Sequence, residues 1–214
     1  YEWRWKVTKI SFTIGTKLCT QKKEWSPQHR GRVLLWGEQG LGDEIMFLSL
    51  VPDFINYIDE LIIKTDKRLF PLLKRTLGEE NIRYVDKKEE LDESNYDFHI
   101  AMGSLPKYLR PSLNSFHNAK QLILKVDQNK SDQIRHQLLD NQSNKIIGIS
   151  WKSESKSRKN KSLSLEKFIL GINSPNIKFV CLQYGEVKEE INHLKVKYGI
   201  EVFELENIDK FNDI

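Results

Sequence analysis

An α/β protein built from two parallel-sheet units, the second truncated relative to the first, is predicted by three observations. Short apolar runs alternate with amphipathic ones along the 214 residues. That alternation restarts after a polar stretch, Asp140 to Lys145. The apolar fraction is 39%, with ten Phe, seven Tyr and five Trp, which is enough to bury a core and excludes a disordered chain.

The elements follow in order. Arg32 to Trp36 reads as a buried strand. Asp43 to about Ile58 reads as a helix, with apolar residues at Ile45, Phe47, Leu48, Val51 and Phe54 near helical period. Pro52 is expected to bend or end its first part. Leu61 to Lys64 is a strand, and Lys67 to Leu77 a helix stopped by Gly78. Ile82 to Val85 and Phe98 to Ala101 are further strands, with Gln121 to Val126 a candidate for one more. Ser131 to Leu139 reads as a helix before the polar stretch, and after the restart Ile146 to Ser150 reads as a strand and Leu165 to Leu170 as part of a helix. Phe179 to Leu182 is a strand, Glu186 to Lys197 a helix ending before Gly199, and Ile200 to Phe203 a strand. Strands alternating with helices predict parallel sheets covered on both faces. The expected organisation is a linker over 1–30, a first unit over 31–140 and a partial second unit over 145–214. The few strands of the second unit would leave an edge and apolar surface uncovered, so the sequence reads as part of a longer chain. Tyr1 is not a start residue, and the chain is expected to begin upstream of it.

Charge and composition exclude several classes. The 34 basic and 30 acidic residues give a net charge of +4, too even for a dedicated nucleic-acid binder. No apolar run approaches the roughly 18–20 residues that span a bilayer. Cys19 and Cys181 fit no metal spacing and read as reduced thiols of a cytoplasmic protein, a disulfide between them being the other reading. His29, His99, His117, His136 and His193 show no ligand spacing and sit in no nucleophile motif, so neither a metal nor a covalent nucleophile is expected.

Two strand–loop–helix junctions carry the candidate chemistry. In Trp36-Gly37-Glu38-Gln39-Gly40-Leu41-Gly42-Asp43 a strand ends, three Gly follow and a helix begins. Gly permits close backbone approach, and a helix N-terminus offers free N–H groups to a polar ligand. The spacing is neither the dinucleotide fingerprint nor a P-loop. A tight turn with Asp43 capping the helix accounts for the same residues. The second junction, Ser150 to Leu165, carries Lys152, Lys156, Arg158, Lys159 and Lys161 against Glu154 alone. Such a loop can neutralise a diphosphate, and it reads equally as solvated surface.

The stretch Leu35 to Phe47 resembles the W-x-E-Q-G-L-G-D-x-I-x-F segment of the glycosyltransferase-like region that follows tetratricopeptide repeats in many bacterial proteins. Tyr1-Glu2-Trp3-Arg4-Trp5 resembles the link from the last repeat helix, and Trp25 the Trp that precedes the first strand. Phe98 to Pro106 resembles a D-x-x-x-P-L-x-S-L-P segment, departing from it at Ala101-Met102-Gly103. Ile147 to Lys152 and Phe179 to Gly185 resemble the G-x-x-W and F-V-S-L-Q-x-G strands. That region is similar to heptosyltransferases and, more distantly, to protein O-GlcNAc transferases. The resemblance implies a GT-B fold, two Rossmann-like domains facing a cleft, with the acceptor side first and the donor side second.

By the same resemblance Asp43 takes the role of the base that deprotonates the acceptor hydroxyl. Gly40, Leu41, Gly42 and Ser104 then bind substrate, and Trp151, Lys152, Lys161 and Gln183 face the donor diphosphate. The implied partners are a nucleotide sugar, consumed as substrate with no other cofactor, and a protein or glycan acceptor, with the preceding repeats available to bind protein. The family continues past the equivalent of Ile214 with a D-T-x-x-x-H-x-x-G-type segment that completes the donor site, so this stretch alone is expected to be weak or inactive. The alternatives are a non-catalytic binding or scaffold domain and another two-domain sugar-nucleotide enzyme such as an epimerase.

Overall fold

The computed structural model describes residues 1–6, 17–117, 119–138, 145–153, 162–205, 208 and 212. It is an α/β protein that divides into two compact units, Tyr1–Val126 and Asp127–Ile214.

The first unit holds five parallel strands: β1 (Lys23–Glu24), β2 (Arg32–Trp36), β3 (Glu60–Thr65), β4 (Ile82–Asp86) and β5 (Phe98–Ala101), in the order β1-β5-β2-β3-β4. Its helices are α1 (Leu41–Leu48), α2 (Val51–Phe54), α3 (Phe70–Leu77) and α4 (Leu105–Leu109). Alternate residues of each strand go to opposite faces. Val33, Leu35, Leu61, Ile63 and Ile100 meet Phe47, Leu48, Phe54, Leu73 and Leu105 from the helices. Leu34, Trp36, Ile62, Val85 and Ala101 form the other face, against Tyr96 and the half-buried Trp5, Leu18 and Leu91. The continuous apolar run of β2 is thus explained by burial on both sides. Among the described residues α-helices cover only one of those faces; the 3-10 turn Glu2–Lys6 and loops cover the other, where helices on both had been expected. Trp25, fully buried just after β1, packs edge-on against Phe54 and Tyr108 at 4.8 and 5.6 Å between ring centroids.

The long helix expected over 43–58 is broken. α1 ends at Leu48, with the Ser49 hydroxyl donating to the Met46 carbonyl, and α2 starts at Val51 with Pro52 in its first turn. Proline has no N–H to give the Leu48 carbonyl, so the ladder stops there and a new helix begins where a missing donor is tolerated. Gly78 ends α3 with φ +84°, as its place in the sequence suggested. Residues 121–126 form no strand. Lys125 instead donates its N–H to the Thr76 hydroxyl and accepts from Arg75 through its carbonyl, so α3 takes the backbone groups a sheet would have used.

The second unit opens with α5 (Gln128–Leu138). Asp127 starts this helix, its carboxylate accepting from the Lys130 N–H at 3.1 Å. Three parallel strands follow in the order β6-β7-β8: β6 (Lys145–Ile149), β7 (Ile177–Cys181) and β8 (Val202–Glu204). The connections run through α6 (Leu165–Ile172) and α7 (Lys188–Tyr198), the latter closed by Gly199 at φ +67°. Ile149, Phe179, Cys181 and Val202 pack with Trp151, Leu165, Ile169 and Leu194 in one core. The division of the chain falls before α5, which the sequence had assigned to the first unit. Cys19 is exposed, Cys181 is buried, and the two form no disulfide with each other.

Candidate functional site at the switch point of the first sheet

From β2 the chain proceeds to β3 on one side, whereas β5 lies on the other. The carboxyl ends of β2 and β5 therefore form a topological switch point, the place where open parallel sheets hold ligands. Trp36 and Ala101 are in register there, so the turn at Gly37 and the turn at Met102 leave the sheet side by side.

The first turn leads into α1. Gly40, in an extended conformation at φ −75° and ψ 165°, is its N-cap, and Asp43 is its third residue. The exposed Asp43 carboxylate reaches back to accept the Gly40 N–H at 3.3 Å. This is the reciprocal half of a capping box, the other half being absent because glycine has no side chain. Asp43 thus supports the helix start from inside the first turn and is not the capping residue itself. Gly42 is exposed, while Leu41 leans on the core.

Two carboxylates flank this turn and turn inward. Glu44 is fully buried; it accepts the Thr65 hydroxyl and, at 3.4 Å, the Asp66 N–H, with the Lys87 ammonium 3.7 Å away. Asp66 beside it is held well below the ordinary carboxylate range, chiefly by hydrogen bonds from Arg68. Glu38, 4% exposed, points toward the β5 turn and accepts the Gly103 N–H at 3.1 Å and Arg4 Nη2 at 2.9 Å. Burial pushes the Glu38 carboxyl up, against the opposing pull of the Arg4 charge and of backbone hydrogen bonds. The same Arg4 nitrogen donates to Ser104 Oγ at 2.9 Å, and that hydroxyl donates on to Glu2 at 3.3 Å. Ser104 is buried at 1% exposure, so its hydroxyl belongs to this network.

In the second unit, Gln183 organises the equivalent junction after β6. Its side-chain carbonyl accepts from the Ser150 hydroxyl and from the N–H groups of Trp151 and Lys152 at 2.9, 3.0 and 3.1 Å. Trp151 is buried in the core and donates its indole N–H to Glu190 at 2.7 Å. The Lys152 ammonium pairs with Glu190 at 2.7 Å and donates to the Glu186 carbonyl at 2.9 Å. The two described ends of the loop are joined by Leu163 N–H to Trp151 carbonyl and Ser153 N–H to Ser162 hydroxyl bonds. Glu154, Lys156, Arg158, Lys159 and Lys161 lie outside the described residues.

The chain is similar to protein FlbA of Caulobacter vibrioides. The two are 29% identical over 211 aligned residues, covering 89% of this chain. The chain spans 35% of the length of FlbA. No family model matches the sequence, and no solved structure matches it.

Among the described residues there is no group of three or more His, Cys, Asp or Glu side chains placed to hold a metal, and no helix long and apolar enough to cross a membrane. A cavity of about 570 Å³ opens at the amino ends of β3 and β4, lined by Arg30, Asp59, Glu80 and Asn81, on the opposite edge of the sheet from Asp43. The structure thus places Gly40, Leu41, Gly42 and Asp43 at the start of α1 and the buried Ser104 in the neighbouring β5 turn, and Trp151, Lys152 and Gln183 at the junction after β6. Sequence reasoning missed Arg4, Glu38 and Glu44. The one available signal was the alternation of acidic residues with Gly in 37–44, of which the sequence reading gave a role to Asp43 alone.

Proposed function

We propose that the chain is the acceptor side, with part of the donor side, of a sugar-nucleotide-dependent glycosyltransferase of GT-B type. The observation that carries this reading is the exposed Asp43 carboxylate on the first turn of α1, at the switch point of a parallel sheet. In the reaction, Asp43 takes the proton of an acceptor hydroxyl as that oxygen bonds to the anomeric carbon of the sugar. The bond from that carbon to the diphosphate breaks, and the nucleoside diphosphate leaves with the electron pair. An uncrowded carboxylate is what general-base work requires, since the acceptor must reach it directly. Gln183 supports the reading by fixing the backbone after β6, where a diphosphate would lie along the Trp151–Lys152 turn. Lys152 would then exchange Glu190 for phosphate oxygens. A cytoplasmic compartment suits two cysteines that form no disulfide with each other.

A second reading, a non-catalytic binding or scaffold domain, is favoured by one feature: the two turns are bridged by the chain's own Arg4. The two separate on a thermal-shift and calorimetric screen of uridine, guanosine and adenosine diphosphate sugars against the full-length protein, followed by turnover of any that binds. Saturable binding weakened by Lys152→Ala, with turnover lost in Asp43→Asn, is the expected result. Absence of binding across the panel overturns the transferase reading in favour of the scaffold.

A further inference from the structure

Arg4 has no part in the reaction proposed above, yet it is 6% exposed and lies between the two turns of the switch point, bonded to Glu38 and Ser104. We propose that Arg4 is a positioning residue for the turn that leads to Asp43, so that the geometry of that turn depends on the N-terminal segment Tyr1–Lys6. The coupling is read from conformation alone; only its bearing on acceptor binding rests on the proposed function.

A single guanidinium joins both turns. Arg4 Nη2 meets Glu38 in the β2 turn and Ser104 in the β5 turn, each at 2.9 Å. Its flat faces are covered by Tyr1 and Trp5, 4.7 and 4.2 Å from its central carbon to the ring centroids. These rings are in turn seated on the sheet unit: Trp5 lies 5.8 Å from Trp36 at the end of β2, and Tyr1 lies 5.8 Å from Phe47 in α1. The β5 turn is shaped to admit this arrangement. A methyl group on Gly103 would stand 2.6 Å from Glu38 Oε1 and 2.9 Å from Tyr1 Cε1.

The consequence follows from the burial of Glu38, whose side chain is 0% exposed. Among the described residues Arg4 is the cation on this carboxylate; the other charged group of the network, Glu2, faces Arg4 from the same segment and is 37% exposed. A buried carboxylate that loses its partner has to take a proton or move to water. Because Glu38 sits between Gly37 and Gln39, movement of its side chain to water displaces the turn that leads to Asp43.

Hydrogen exchange on the full chain at pH 5 and pH 8 tests this. Arg4→Ala should raise amide exchange on the order of tenfold or more in residues 37–45 and 103–105, with β3 and β4 unchanged. The rise should be larger at pH 8 than at pH 5, because ionisation of the unpartnered carboxyl is favoured as pH rises, and should be reversed in the Arg4→Ala/Glu38→Gln double variant, whose amide carries no charge. Arg4→Lys, which keeps the charge but not the forked donor, should give a smaller rise in the same segments and serves if the alanine variant unfolds. Unchanged exchange in these turns, an equal rise throughout the sheet, or a rise that ignores both pH and the double variant overturns the proposal. Asp43→Asn should leave the exchange pattern intact, so a protein that shows this coupling without glycosyl transfer retains the positioning role and loses the proposed function.

Discussion

At Gly37 and Gly103 the backbone passes within a methyl group's width of a buried carboxylate. A methyl on Gly37 would lie 2.6 Å from Glu44 Cδ and Oε1, and Glu44 has no free space to yield because it is 0% exposed. Gly37→Ala should therefore destabilise the first unit by about 1–3 kcal/mol, the usual cost of forcing extra volume into a packed site, read from urea unfolding. Gly42→Ala, with nothing within 4 Å of the added carbon, is the control and should change little. Asp43→Asn belongs to the same scale. Its amide oxygen can still accept the Gly40 N–H, so stability should shift by no more than about 0.5 kcal/mol. Under the proposed function turnover should fall by about 10²–10⁴-fold, the usual contribution of a general base; unaltered turnover would leave Asp43 as a helix support only. In the second unit, Gln183→Ala orphans the N–H groups of Trp151 and Lys152, at a cost of about 1–3 kcal/mol per buried group lost. A midpoint equal to that of the parent chain would show that water replaces Gln183 freely.

At the scale of elements, the turn that follows β3 predicts how the protein meets acid. Asp66 opens the short 3-10 turn Lys67–Leu69, accepting the Arg68 N–H and two bonds from its guanidinium, with Lys87 3.4 Å away. These donors lower its carboxyl pKa in the folded chain. A depressed carboxyl stabilises the fold above its unfolded value of about 4 and loses that contribution as pH falls toward the folded value. Asp97, held down to about 2 chiefly by Arg32, acts in the same window. Asp66→Asn should thus flatten, without abolishing, the loss of stability below about pH 4; an acid limb identical to the parent's would remove Asp66 as a contributor. Elements with local signals were legible in the sequence: the apolar run of β2, the stops at Gly78 and Gly199, and the strand–Gly–helix order around Asp43. β1 was not, because Lys23 and Glu24 carry no pattern and are a strand only through pairing with β5. Residues 121–126 were a candidate strand, and the bonds that place them come from Arg75 and Thr76, about fifty residues away in sequence. Arg4 and Glu38 escaped for the same reason: an ion pair spanning 34 positions leaves no periodic trace.

At the scale of the molecule, each unit closes its own core. Among the described residues, the two clusters that sandwich the five-stranded sheet draw only on Tyr1–Val126, and the cluster under the three-stranded sheet draws only on Asp127–Ile214. Residues 1–126 expressed alone should therefore unfold cooperatively, with the near-ultraviolet signal of buried Trp25 and Trp36 intact; a featureless spectrum or a gradual melt would show that the first unit needs the second. The layering of the first unit has a kinetic side as well. Arg4 is made first, yet Ser104, its partner in the β5 turn, is synthesised 100 residues later. At about 5–20 residues per second the ribosome releases that partner some 5–20 s after Arg4 emerges. The segment must wait while β2 to β5 assemble, and closing so long a loop before the sheet exists returns little. Docking of Tyr1–Lys6 is thus a final step of folding. Substitutions in it should hasten unfolding while leaving refolding from urea at nearly the parent rate.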